Sequence, residues 1–195
     1  DREGILVWQD LPSPNLPSGY EDYAKKNFED ESKRIITAFR NHPSIIQWVV
    51  FNEGWGQFDT ERMTQIVISE VGQSLVCCAS GWVDAPIGDI KDSHSYPNPS
   101  CPLDETRAGV CGEYGGITLK VQGHIWPGGD FQYTTVETGK DFTVLFNNLA
   151  DKVIDHYYYG LNAAVYTQLS DVEIEKNGIY TYDRRVLKPY SATGE

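Results

Sequence analysis

Residues 46–57 read IQWVVFNEGWGQ, an apolar run that breaks off into Asn52 and Glu53 and then sets two glycines around Trp55. So many β-branched and aromatic residues in so short a stretch mark a strand buried on both faces, as in a parallel sheet. One polar residue at a strand end is ordinarily a loop hydrogen bond. An amide beside a carboxylate, with glycines leaving backbone room behind them, suggests a ligand. Outward from this run, five more strand candidates occur: residues 4–9 (GILVWQ), 75–80 (LVCCAS), 92–96 (DSHSY), 109–113 (GVCGE) and 163–169 (AAVYTQL), with the first run spanning 45–52. Helical spacing lies between them. Residues 22–43 place Phe28, Ile35, Ile36 and Phe39 on one face before Pro43. Asp59 and Thr60 are caps for a helix with Met63, Ile66, Val67 and Val71, and Thr138 caps a third that Gly160 ends. This alternation predicts an α/β fold in one domain, residues 1–195.

Composition removes several classes of function. With 16 basic against 28 acidic residues the net charge is −12, which repels phosphate backbones and anionic bilayers. The densest basic stretch, Lys25, Lys26, Lys33 and Arg34, is interleaved with Glu29, Asp30 and Glu31 and reads as a solvated helix face. We therefore expect no nucleic-acid and no membrane partner; no apolar run approaches the ~20 residues of a membrane span. Cys77 and Cys78 read as buried free thiols, while Cys101 and Cys111 bracket a short loop and leave a disulfide open. This pattern does not fix the compartment, although an extracellular or periplasmic one is the expectation. Four scattered histidines without zinc spacing predict no metal and no cofactor.

The chemistry centres on two glutamates. Glu53 in NEGWG and Glu113 in GEYGG each follow a strand and precede glycines, and strand ends in α/β sheets are where functional groups gather. Paired carboxylates divide labour when their surroundings differ: one gives a proton, the other stays ionised and attacks or stabilises a cation. A structural ion pair is the other reading of the two.

Four stretches, NHPSIIQWVVFNEGWGQ, DSHSYPNP, GEYGG and YTQLSDVEIEKNGIYTYDR, occur in the order seen in the family 2 glycoside hydrolases, and the chain resembles the catalytic barrel of that family over nearly its whole length. GILVWQDLP is similar to its third barrel strand. The resemblance implies a partial (β/α)8 TIM barrel carrying strands 3 to 8, and a retaining β-glycosidase of the β-galactosidase, β-glucuronidase or β-mannosidase type. By matching position, Glu53 would be the general acid/base, Glu113 the nucleophile and Asn52 the partner of the sugar 2-hydroxyl. Tyr96 would orient Glu113 and His94 would contact substrate. Retention requires the two carboxyl groups about 5 to 5.5 Å apart.

Trp55 and Trp126 lie in loops where an indole would stack on a sugar; Trp82 reads as packing. The connection 115–136 lacks periodicity and reads as a pocket wall. Asp171, Glu173 and Glu175 read as ties for loop backbone rather than as a cation site. Relative to the family, the first two strands and the preceding β-sandwich domains are absent, so this stretch alone does not complete a sugar pocket. We expect an N-terminal part of the same protein, or oligomerisation, to complete it. The competing reading is a catalytically silent carbohydrate-binding or scaffold piece. The expected partner in both is a carbohydrate, a β-glycoside for the enzyme.

Overall fold

The apolar run forms β2 (Ile45–Asn52) in a computed structural model of the chain, which describes residues 1–13 and 21–190. It is the middle strand of a sheet ordered β1–β2–β3, with β1 (Val7–Asp10) and β3 (Leu75–Ser80) both parallel to it. Its central position explains its composition, since both faces of a middle strand are covered and Trp48, Val50 and Phe51 are fully buried. α1 (Asp22–Phe39) buries Phe28 and Ile36, and the Phe28 ring stacks on Phe51 at 5.4 Å. α2 (Thr60–Val71) contributes Met63 and Val67 to the same core. Asp59 stands at the N-terminal boundary of α2, but its side chain makes no capping hydrogen bond. It lies instead 3.5 Å from Arg62.

Contacts divide the chain into two compact units, Asp1–Ser93 with Pro102–Val110 and His94–Cys101 with Cys111–Glu195. The sheet just described belongs to the first. β4 (Ile90–Ser95) and β5 (Ala108–Gly115) begin in the first unit and finish in the second, and with β8 (Ala163–Thr167) they make a second three-stranded sheet in the order β4–β5–β8. β6 (Ile117–Thr118) pairs in parallel with β7 (Thr134–Thr135) as a separate ribbon. α3 (Gly139–Tyr158) starts where the sequence indicates, with Thr138 Oγ1 accepting from Asp141 N at 3.1 Å. Its Phe142 and Leu149 pack with Cys111, Ile117 and Leu161 in the second unit's core.

The expected partial TIM barrel with strands 3 to 8 is not what forms. A barrel needs one continuous ladder, whereas the described residues make three short sheets of three, three and two strands with three α-helices, a small α/β arrangement. The ladder stops at β3. There Gly88 makes a single antiparallel bridge to Cys77, and Asp89 takes up both groups of Val76: its N–H donates to Val76 O at 2.8 Å and its carboxylate accepts from Val76 N at 2.9 Å. Gly88 has φ +86°, and a Cβ there would lie 2.5 Å from Val76 O, so only glycine allows this approach.

All four cysteines are free thiols, so the disulfide left open between Cys101 and Cys111 does not form. Burial pushes the Cys77 and Cys78 thiols up, which keeps them unreactive. Asp171 ties loop backbone: its Oδ1 accepts from Gly178 N at 2.8 Å and from buried Lys188 at 2.6 Å. Burial pushes the Asp171 carboxyl up and the Lys188 ammonium down, and each partner's charge opposes that. Among the described residues no helix is long and apolar enough to cross a membrane.

Candidate functional site

In the first unit, the end of β2 turns sharply. Glu53 takes φ 53°, a left-handed conformation uncommon outside glycine, and its N–H donates to Ser80 O at 2.9 Å. Gly54 follows at φ 74°, where a Cβ would meet Val83 Cγ2 at 2.9 Å. Trp55 N donates back to Asn52 O at 3.1 Å, and Trp55 O accepts from Ser13 Oγ at 3.0 Å. Gln57 Nε2 then bridges Thr60 Oγ1 at 2.8 Å and Val83 O at 2.9 Å. Asn52 and Glu53 are half-buried, while the Trp55 ring is 37% exposed. Main-chain geometry thus fixes where the Glu53 side chain leaves the chain.

The support behind this turn is electrostatic. Arg107, whose side chain is only 7% exposed, donates to both oxygens of Asp84 at 2.8 Å, to Ala85 O at 2.8 Å and to Asp104 at 2.9 Å. Burial pushes the Asp84 carboxyl up, but the Arg107 contacts outweigh it and hold Asp84 below the usual carboxylate range. The Thr106 backbone N–H, then the Arg107 guanidinium, hold Asp104 well below the usual carboxylate range. Asp84 adjoins Val83, the residue against which Gly54 and Gln57 rest.

In the second unit, Glu113 sits near the end of β5 with its side chain 32% exposed. The Tyr96 hydroxyl donates a short hydrogen bond to Glu113 Oε2, and His94 Nδ1 lies 3.4 Å from the same oxygen. The His94 side chain is 1% exposed. Tyr96 Oη is also 3.0 Å from Thr167 Oγ1 at the end of β8. Since the phenol's single proton is spent on Glu113, the threonine hydroxyl is placed to donate to it. Burial, then the Glu113 charge, pushes the Tyr96 phenol far above the ordinary tyrosine range, so it stays a donor wherever the protein is folded. Two backbone bonds close the surroundings: Gly115 N to Pro97 O at 3.0 Å and Gly116 N to Thr167 O at 2.9 Å. A carboxylate that accepts from a neutral donor in this way is suited to attack an electrophilic carbon or to stabilise a cation beside it.

The structure therefore joins His94 and Tyr96 to Glu113, and places Asn52, Glu53 and Trp55 on one turn. Trp126 packs edge-on against Tyr182 at 5.4 Å and is 43% exposed. Trp82 is exposed rather than packed, at 51%. Two residues at the Glu113 site escaped the sequence reading. Thr167 carried no signal beyond its place at a strand end, and Tyr133 lies in the aperiodic 115–136 connection, where only its aromatic character stood out. Tyr133 stacks on Tyr96 with ring centroids 3.8 Å apart and planes at 6°.

No family model matches this sequence. No curated protein matches it either. Among solved structures, 16 chains match. One is a β-glucuronidase from Ruminococcus gnavus in complex with N1-substituted uronic isofagomine, with a TM-score of 0.57 and 15% identity over 83% of this chain. This chain spans 33% of that one. At that identity the likeness is one of fold, over 83% of this chain.

Proposed function

We propose that this chain carries the catalytic carboxylates of a retaining β-glycosidase, with Glu113 as nucleophile. The observation that carries this reading is the half-exposed Glu113 carboxylate held by the Tyr96 hydroxyl beside buried His94, within a glycoside-hydrolase-like fold. Glu53 enters from the sequence, as the acid/base on the turn after β2, with Asn52 beside it for the sugar 2-hydroxyl and Trp55 and Trp126 as ring-stacking groups. The Glu113 carboxylate attacks the anomeric carbon while Glu53, as the acid, protonates the departing oxygen, leaving a glycosyl ester on Glu113. Glu53 then takes a proton from water, whose oxygen attacks the same carbon and releases Glu113 as carboxylate. The substrate is a carbohydrate β-glycoside, and the name of the R. gnavus neighbour puts β-glucuronides on the list to be tried. The test is hydrolysis of a panel of aryl β-glycosides by the full-length protein and its Glu113→Gln variant. We expect one glycoside to release its aryl group and the variant to lose on the order of 10³-fold or more in kcat. An inert protein across the panel contradicts the reading and leaves a carbohydrate-binding or scaffold role.

A further inference from the structure

Tyr96 is held by more than its hydroxyl. Its ring lies face to face with Tyr133 at 3.8 Å and 6°, closer than the roughly 4.5–7 Å at which aromatic pairs settle by themselves. A parallel stack this close needs backbone that brings both rings to one place. The structure shows what does so. Tyr133 immediately precedes β7, whose Thr134 is paired with Ile117 of β6, and this register sets Tyr133 beside Gly116. Gly116 has φ +65°, and a Cβ there would lie 2.6 Å from Tyr133 Cδ2 and 3.1 Å from Tyr96 Cδ1. The missing side chain is the space that the two rings fill. Behind Tyr133, Phe131 packs edge-on at 5.0 Å, and its own N–H is anchored to Ile174 O at 3.0 Å.

We infer that Tyr133 is a positioning residue for Glu113, acting through Tyr96: its ring clamps the phenol so that the hydroxyl stays aimed at Glu113 Oε2. This rests on the reading of Glu113 as nucleophile. A phenol free to swing about its side-chain torsions delivers its hydrogen bond only part of the time, and a nucleophile misplaced by about 1 Å costs on the order of 10²-fold. The clamp acts on the Tyr96 ring. Its loss therefore lowers kcat and shifts the ionisation of Glu113, with little effect on KM.

The test uses Tyr133→Met, which removes the stack, Gly116→Ala, which forces a methyl group against it, and Tyr133→Phe, which keeps it. Tyr96→Phe is the benchmark. Two readouts are taken: kcat and KM for an aryl β-glycoside, and the pH midpoint for carbodiimide labelling of Glu113, followed by peptide mass spectrometry, which needs no turnover. Losing the donor disfavours the carboxylate, so the labelling midpoint rises in Tyr96→Phe. We expect Tyr133→Met and Gly116→Ala to move it the same way and to lower kcat about 10- to 100-fold with KM changed less than about threefold. Tyr133→Phe should restore both values. Gly116→Ala reaches the stack without altering either ring, so failure of Tyr133→Met to fold leaves the test intact. A Tyr133→Met protein with the parent's midpoint and kcat, beside a shifted Tyr96→Phe, overturns the inference and spares the glycosidase reading. Shifted midpoints in a protein that hydrolyses no glycoside support the clamp and overturn that reading.

Discussion

Glu53 and Glu113 look alike in the sequence, each a glutamate after a strand and before glycines, yet the molecule positions them by different means. At Glu53 the device is the main chain: a left-handed residue, a glycine where a Cβ would meet Val83 at 2.9 Å, and a ring of backbone hydrogen bonds. At Glu113 the strand is regular, and the carboxylate is set by side chains, Tyr96 and His94 on the same oxygen and Tyr133 behind Tyr96. A carboxylate that must attack one atom benefits from hydrogen bonds that fix its charge and aim. One that gives and takes a proton needs mainly to be delivered to the right place. The contrast between the turns fits the division of roles proposed for them.

The largest effect that would sharpen this contrast is at Glu53. In Glu53→Ala, hydrolysis of substrates with poor leaving groups should fall by about 10²- to 10⁴-fold, the usual share of general acid–base catalysis. Added azide should recover activity and yield a β-glycosyl azide, because the small anion needs no general base. A β-glycosyl azide from Glu113→Ala, with an α-glycosyl azide from Glu53→Ala, would exchange the two roles.

A smaller effect probes the scaffold behind the Glu53 turn. Replacing Arg107 by Met removes the paired hydrogen bonds of its buried guanidinium to Asp84, which should cost about 2–3 kcal/mol of stability at pH 7, read by urea denaturation, and also takes the cation from Asp104. The pH dependence has a definite sign. Both carboxyls titrate lower in the folded than in the unfolded chain, so their contribution is complete above the unfolded value near 4 and is lost as pH falls through the lower folded values. The gap between parent and Arg107→Met should therefore hold steady from pH 7 to about 5 and narrow below about 4. A gap independent of pH down to 2 would mean that Arg107 acts by packing alone.

How much of this was legible beforehand follows from where the signal is local. β2 and β3 begin and end where composition puts them, because a both-sides-buried strand is apolar throughout and its polar ends are abrupt. Three helices follow from 3.6-residue spacing, with Thr138 as a working cap. β1 starts at Val7 rather than at residue 4, since Ile5 and Leu6 are more than 60% exposed and join no ladder. The ribbon of β6 and β7 is two residues deep and leaves no period to read. The barrel expectation failed on pairing, which strand order alone does not encode: a glycine at 88 lets the chain approach Val76 and end the ladder. The Glu113 site was half legible. His94 and Tyr96 stood out as HSY at a strand end, whereas Thr167 and Tyr133 reach Tyr96 from residues 71 and 37 positions away, and no local pattern announces them.

The most direct test of the central claim is to treat the full-length protein with the 2-deoxy-2-fluoro analogue of whichever aryl β-glycoside it hydrolyses, a reagent that slows both steps and lets the ester accumulate, and then to map the peptides by mass spectrometry. The account predicts one added fluoroglycosyl group, carried on the peptide containing Glu113 and absent from Glu113→Gln. A label on Glu53, or turnover without any covalent adduct, would contradict it.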